Sequence, residues 1–226
     1  MLQNIENVDT PFLWVDLDRM EENIASLSAY FRDRKLNWRP HTKGIKIPEI
    51  SKMALEAGAS GITCAKLSEA EIMAESGIGN ILIANQVVGT SKLERLCNLA
   101  EKIKVIVAVD DYGIAVQMAN AAKLKNVSIG VLVEVNVGMD RAGVAPGFKT
   151  LDFCKRIIGL DGLNFEGLMA WEGHAAGITN PAQKKETITE SLRSLIDTVD
   201  MLEKEKIQLN IISGAGSATY QISTDF

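Results

Sequence analysis

Lys43 lies in Trp38-Arg39-Pro40-His41-Thr42-Lys43, a stretch whose residue types suit carbonyl chemistry. A lysine amine becomes a nucleophile where burial or nearby cations lower its pKa, and its usual covalent partner is a carbonyl carbon, giving a Schiff base. Pro40 stops a helix and biases Arg39 toward extended geometry, so Lys43 is not on the exposed helical face expected for most of the 24 Lys and Arg residues. Read alone, it is either such a nucleophile or a surface lysine. His41 could tune or shield it, or make only a structural hydrogen bond at a strand end. A second chemical stretch is Gly214-Ala215-Gly216-Ser217-Ala218-Thr219-Tyr220. Its glycines let backbone approach an anion, and Ser217 and Thr219 add hydroxyl and N–H donors suited to a phosphate, although such a turn can also serve tight packing alone. The only other histidine, His174 in Trp171-Glu172-Gly173-His174, is a candidate acid or base.

These residues must be placed by the elements around them. Apolar strand-like runs alternate with amphipathic helical ones along the whole chain. Strands are expected over 12–17, 37–43, 60–66, 80–86, 104–110, 127–136, 164–170 and 209–213. The helices between them cover about 19–31, capped by Asp18, then 48–57, 68–76, 91–101, 112–123, 149–158 and 181–206. The near-continuous apolar run 127–136 suits a sheet buried on both faces. Two architectures fit, a doubly wound sheet and a (β/α)8 barrel of the TIM type. The barrel is favoured, because phosphate sites in barrels lie on the loops after the last strands, where the glycine-rich turn falls. Counted from 37–43 there are seven barrel strands, with 12–17 additional, and an eighth barrel strand is not found before Phe226. The barrel is therefore expected to be open, as in a fragment of a longer protein or one closed by another chain.

Composition bounds the alternatives. With 226 residues, 46% of them hydrophobic, and 18 glycines, the chain can bury one substantial core, so residues 1–226 are read as one domain. A formal net charge of -5 argues against a nucleic-acid surface but leaves local anion sites open. Cys64, Cys97 and Cys154 lack metal or disulfide spacing and resemble the buried thiols of a cytoplasmic protein. No apolar run approaches a membrane span.

Together, Thr10-Pro11-Phe12, Pro40-His41-Thr42-Lys43, Leu67-Ser68-Glu69-Ala70-Glu71, Asn85-Gln86-Val87-Val88, Gly138-Met139-Asp140-Arg141-Ala142-Gly143-Val144 and Ser213 through Tyr220 resemble the D-threonine aldolase and D-serine dehydratase group of enzymes dependent on pyridoxal 5'-phosphate (PLP). That group has the alanine racemase fold type. The resemblance implies that Lys43, which follows Pro-His-x, is the Schiff-base lysine in preference to Lys46, and that Arg141 faces the pyridine nitrogen. Trp171 stands where the family often has a tyrosine near the cofactor, and Gly214, Gly216, Ser217, Thr219 and Tyr220 are expected at its phosphate. The implied activity is a PLP-dependent lyase acting on β-hydroxy D-amino acids, most closely a D-threonine aldolase giving glycine and an aldehyde. Elimination by a D-serine or 3-hydroxyaspartate dehydratase, and a non-catalytic PLP-binding homeostasis protein, are the alternatives. The family's aldolases carry a histidine nearer Gly177 than His174. Its members add a carboxyl-terminal β domain, absent here, which pairs with the strand expected over 12–17 and supplies ligands for a divalent metal of the manganese or zinc type. No metal ligand is assigned within this chain, and a homodimer acting on a small amino acid is implied.

Overall fold

The computed structural model describes residues 8–226. Six parallel strands form one sheet in sequence order: β1 (Ile62–Cys64), β2 (Asn80–Ile83), β3 (Lys104–Val109), β4 (Ile129–Val135), β5 (Leu163–Ala170) and β6 (Ile211–Ser213). Between them run α3 (Leu67–Glu75), α4 (Thr90–Ala100), α5 (Tyr112–Lys125), α6 (Phe148–Ile158) and α7 (Pro181–Lys204). Ahead of the sheet stand α1 (Leu17–Asp33) and α2 (Pro48–Glu56), and α8 (Tyr220–Ser223) follows it. An unbroken order of parallel neighbours joined by helices is the topology of a barrel, where a doubly wound sheet would reverse its order midway. The result is a half-barrel.

Period-two alternation sorts the strand residues by face. Ile81, Ile83, Val105, Val107, Ile129, Val131 and Val133 join the large core between sheet and helices. Leu82, Ile106, Ala108, Leu132 and Met169 form a separate, smaller cluster on the concave side. Burying each large aliphatic side chain contributes about 2 kcal/mol, so the outer layer dominates stability. On the concave side the sheet also carries carboxylates. Glu166 bulges out of the β4–β5 register, where Val131 pairs with Phe165 and Leu132 with Gly167. Its carboxylate is met by Asn164 Nδ2 at 2.9 Å, Asn210 Nδ2 at 3.2 Å and Lys104 Nζ at 3.5 Å.

The expected strand over 37–43 exists only in part. Ser60 N–H donates to Trp38 O and Thr63 N–H to Pro40 O, both at 2.8 Å, and His41 bridges Thr63 in parallel. Pro40 has no N–H to continue the ladder, and the chain turns into a short 3-10 segment at Thr42–Gly44. Arg39 secures this edge: its guanidinium reaches Asn80 Oδ1 at 3.2 Å through the space that a Cβ on Gly61 would fill.

The expected strand over 12–17 is not formed. Phe12, Leu13, Trp14 and Val15 are exposed and unpaired, Leu13 completely so, because no main chain among the described residues lies beside them. Helix α1 starts one residue ahead of the expected cap, since Asp16 rather than Asp18 accepts the Arg19 N–H at 3.1 Å. It then reaches both ends of the sheet, with Ser28 donating to Ala57 O near α2 and Tyr30 OH bonded to Thr224 Oγ1 at 2.7 Å beyond α8. No helix among the described residues is long and apolar enough to cross a membrane.

Candidate functional site

Trp171, at the end of β5, is the common contact of the residues singled out by their chemistry. Lys43 Nζ lies 5.0 Å from its ring centroid and Arg141 Cζ 4.8 Å. Each such cation–π contact is worth about 1 kcal/mol, and together they place two positive charges against one aromatic plate at the carboxyl end of the strands. A Cβ on Gly216 would lie 2.9 Å from Trp171 Nε1, so the glycine-rich turn meets the same indole edge. Lys43, Arg141, Trp171 and Gly216, far apart in sequence, therefore converge.

Lys43 and Lys46 part company here. Lys46 Nζ pairs with Glu69 Oε1 at 3.0 Å, and Glu69 Oε2 accepts the Ala65 N–H at 3.0 Å. Burial alone would raise the Glu69 carboxyl, but the hydrogen bonds from Lys46 and Ala65 outweigh it and hold it below the usual range. Among the described residues Lys43 makes no ion pair, and its amine is left to the Trp171 face.

His41 is tied to the backbone of Lys43, whose N–H donates to Nδ1 at 3.2 Å. In the neutral ring the proton therefore sits on Nε2, and protonating Nδ1 breaks this bond. Partial burial, then the Lys43 charge, hold His41 below its ordinary pKa of 6.5. The sign follows: between the folded value and 6.5 the unfolded chain binds the extra proton, so stability is retained above pH 6.5 and lost as pH falls through the folded value. Proton NMR titration of the two imidazoles should show the His41 midpoint below 6.5, and Lys43→Gln should move it upward.

Arg141 is carried by a loop that closes on itself. Asn136 Oδ1 accepts the N–H groups of Gly138 and Asp140, both at 3.1 Å, and Gly143 N–H donates to Asp110 Oδ2 at 2.9 Å before Val144 pairs with Val135. Gly143 is obligatory there, with φ +104 and a Cβ that would stand 2.7 Å from Asn136 N. Beneath the loop is Glu134, 7% exposed on the concave side of β4. It accepts from Gln86 Nε2 at 2.6 Å and lies 3.9 Å from the Arg141 guanidinium. Burial pushes the Glu134 carboxyl up, against the pull of Gln86 and Arg141. Sequence reading missed Glu134, although a lone carboxylate inside the apolar run 127–136 was a signal.

In the glycine-rich turn, Gly216 N–H donates to Thr219 Oγ1 at 3.0 Å, and the N–H groups of Thr219 and Tyr220 return to Gly216 O, also at 3.0 Å. Ser217 and Ala218 are exposed, and their N–H groups carry no hydrogen bond among the described residues. These are the donors open to an anion. The Thr219 hydroxyl is buried and occupied, and the Tyr220 ring packs at 5.1 Å against Tyr30 and 5.7 Å against Phe31, so its side chain serves the α1 contact. Gly214 remains exposed beside the end of β5. His174 is exposed in the loop after Trp171, with Nε2 at 3.3 Å from Ser191 Oγ and the ring over Gly138. It shares the strand-end face with Arg141, and its hydrogen-bond partner among the described residues is Ser191, not Lys43.

Residues 15–225 match the family described as alanine racemase, N-terminal domain. The chain belongs to that family. Within it, D-threonine aldolase from Arthrobacter sp is 34% identical over 215 residues, covering 95% of this chain and 57% of that protein. A 3-hydroxy-D-aspartate aldolase from Paracoccus denitrificans is 29% identical, covering 96% of this chain and 57% of its own length. The crystal structure of D-threonine aldolase from Filomicrobium marinum superposes with a TM-score of 0.95 at 33% identity, over 98% of this chain and 60% of that one. The alanine racemase-type barrel expected from the sequence is thus the fold observed, and the chain spans under two thirds of the length of these relatives.

Proposed function

We propose that this chain is the cofactor-binding barrel of a PLP-dependent lyase that acts on β-hydroxy D-amino acids, most closely as a D-threonine aldolase. The observation that carries this reading is the convergence of Lys43, Arg141 and the Gly216 turn on Trp171. These residues fit the group: a lysine with no ion pair among the described residues for its aldehyde, a cation for its ring nitrogen, and the Ser217 and Ala218 N–H groups, without a partner among the described residues, in a turn opened by Gly214 and Gly216 for its phosphate. When bound, PLP supplies an electron sink that stabilises negative charge at the substrate Cα.

The chain's own residues set the conditions for that chemistry. Lys43 would hold the cofactor through its side-chain nitrogen, and His41, held below its ordinary pKa first by burial, stands beside it. Arg141, a permanent cation, disfavours protonation of a ring nitrogen placed against it and so moderates the sink. His174 is the candidate to take or return a proton at the substrate's β-hydroxyl. The three buried free cysteines support a cytoplasmic setting, and the family resemblance supports a homodimer in the full-length protein, with any divalent metal held outside this chain.

The test is product analysis. Full-length protein loaded with PLP is given D-threonine and D-3-hydroxyaspartate, and glycine with aldehyde is measured against 2-oxo acid with ammonia. Glycine and aldehyde are expected. Ammonia and 2-oxo acid would make it a dehydratase, and binding without turnover of either substrate would make it a PLP carrier.

A further inference from the structure

Glu172 is fully buried, yet nothing in the proposed chemistry uses it. Its Oε1 accepts from Ser223 Oγ at 2.8 Å, while Oε2 has no hydrogen-bond partner among the described residues. A buried carboxyl with one oxygen unpaired costs the fold more than an apolar side chain of similar size would. What it holds is therefore informative. The Ser223 hydroxyl lies also within 3.1 Å of Thr219 O, and Thr219 Oγ1 is the acceptor of the Gly216 N–H at 3.0 Å. The neighbouring residue, Trp171, presses its indole Nε1 to within 2.9 Å of where a Gly216 Cβ would be.

We infer that Glu172 is a positioning residue for the phosphate turn: with Trp171 in front and Ser223 and Thr219 behind, it fixes the Gly214 to Thr219 backbone so that the Ser217 and Ala218 N–H groups stay open to a phosphate monoester. The inference rests on the PLP reading and specifies which residues give the site its preference for the phosphorylated cofactor. Glu172 itself touches neither cofactor nor substrate. Its effect passes through Ser223, and the chemistry required of it is a hydrogen-bond acceptor at Oε1.

The experiment compares pyridoxal 5'-phosphate with pyridoxal, which lacks the phosphate. The wild-type chain, Glu172→Ala, Glu172→Gln and Ser223→Ala are titrated with each, trapped with borohydride, and the adduct at Lys43 is quantified. Glu172→Ala and Ser223→Ala should lose roughly tenfold of the preference for the phosphorylated form, the worth of one hydrogen bond to a charged group, with pyridoxal capture unchanged. Glu172→Gln keeps an oxygen for Ser223 and should keep the preference. An unchanged preference in Glu172→Ala overturns the inference, and so does an equal loss of both ligands, which is what general loosening of the fold gives. If the wild-type chain captures neither ligand at Lys43, the PLP reading itself fails.

Discussion

Lys43→Ala is expected to abolish covalent capture of PLP and to lower turnover of any β-hydroxy D-amino acid by on the order of a thousandfold or more, the scale of losing a covalent catalyst. The fold should not suffer. Lys43 is exposed and makes no ion pair among the described residues, so its removal costs only the contact with Trp171, about 1 kcal/mol. Lys46→Ala should behave in the opposite way. It breaks the pair with Glu69 and leaves that nearly buried carboxylate supported only by backbone, which loosens the start of α3 while Lys43 remains competent. The two variants thus separate chemistry from support, read by the cofactor's absorbance on one side and by thermal unfolding on the other.

Gly167→Ala is expected to be among the most destabilising single-methyl changes in the molecule, on the order of 4 kcal/mol in a denaturant unfolding titration. Gly167 follows the Glu166 bulge with φ +139, and a Cβ there would stand 2.0 Å from Ile211 O on the neighbouring strand. That atom is backbone and cannot rotate away, so β5 and β6 must separate. The consequence reaches the site, since Trp171 continues β5 and the glycine-rich turn continues β6. Gly77→Ala is the control. Its φ is +94 but nothing lies within 4 Å of the added carbon, so only backbone strain of about 1 kcal/mol is expected.

The strand and helix order was legible because each apolar run carries its own periodicity and its own stop signal. Helix α2 begins at Pro48 and α7 at Pro181, the positions at which the sequence reading starts them. The run 12–17 shows the limit of that reading. Its alternating apolar residues describe a strand, but a strand requires a neighbour's backbone, and sequence propensity does not supply one. We propose, as the resemblance implies, that this segment pairs with a β domain beyond the present chain.

The site was legible where a motif names a residue and illegible where a role depends on distant partners. Lys43 and Arg141 were singled out by the resemblance, and the Pro-His-x spacing already preferred Lys43 to Lys46; the pairing of Lys46 with Glu69 is a contact that nothing in the local sequence shows. The resemblance implies Tyr220 at the phosphate, and the packing of its ring against Tyr30 and Phe31 of α1 is a contact that the local sequence does not show. Glu134 and Glu172 were overlooked because their burial depends on distant elements. For Glu134 the face of β4 is decided by register, a property of the assembled sheet, and Glu172 is in a loop whose burial depends on the packing of Ser223 beyond the last strand.

The most direct test of the central claim is to locate the lysine that takes the cofactor. The protein is incubated with PLP, reduced with borohydride and digested, and the pyridoxylated peptide is sequenced by mass spectrometry. Modification at Lys43, lost in Lys43→Ala and retained in Lys46→Ala, is the result predicted by the convergence on Trp171. Modification at Lys46, or the absence of any stoichiometric adduct, would contradict it.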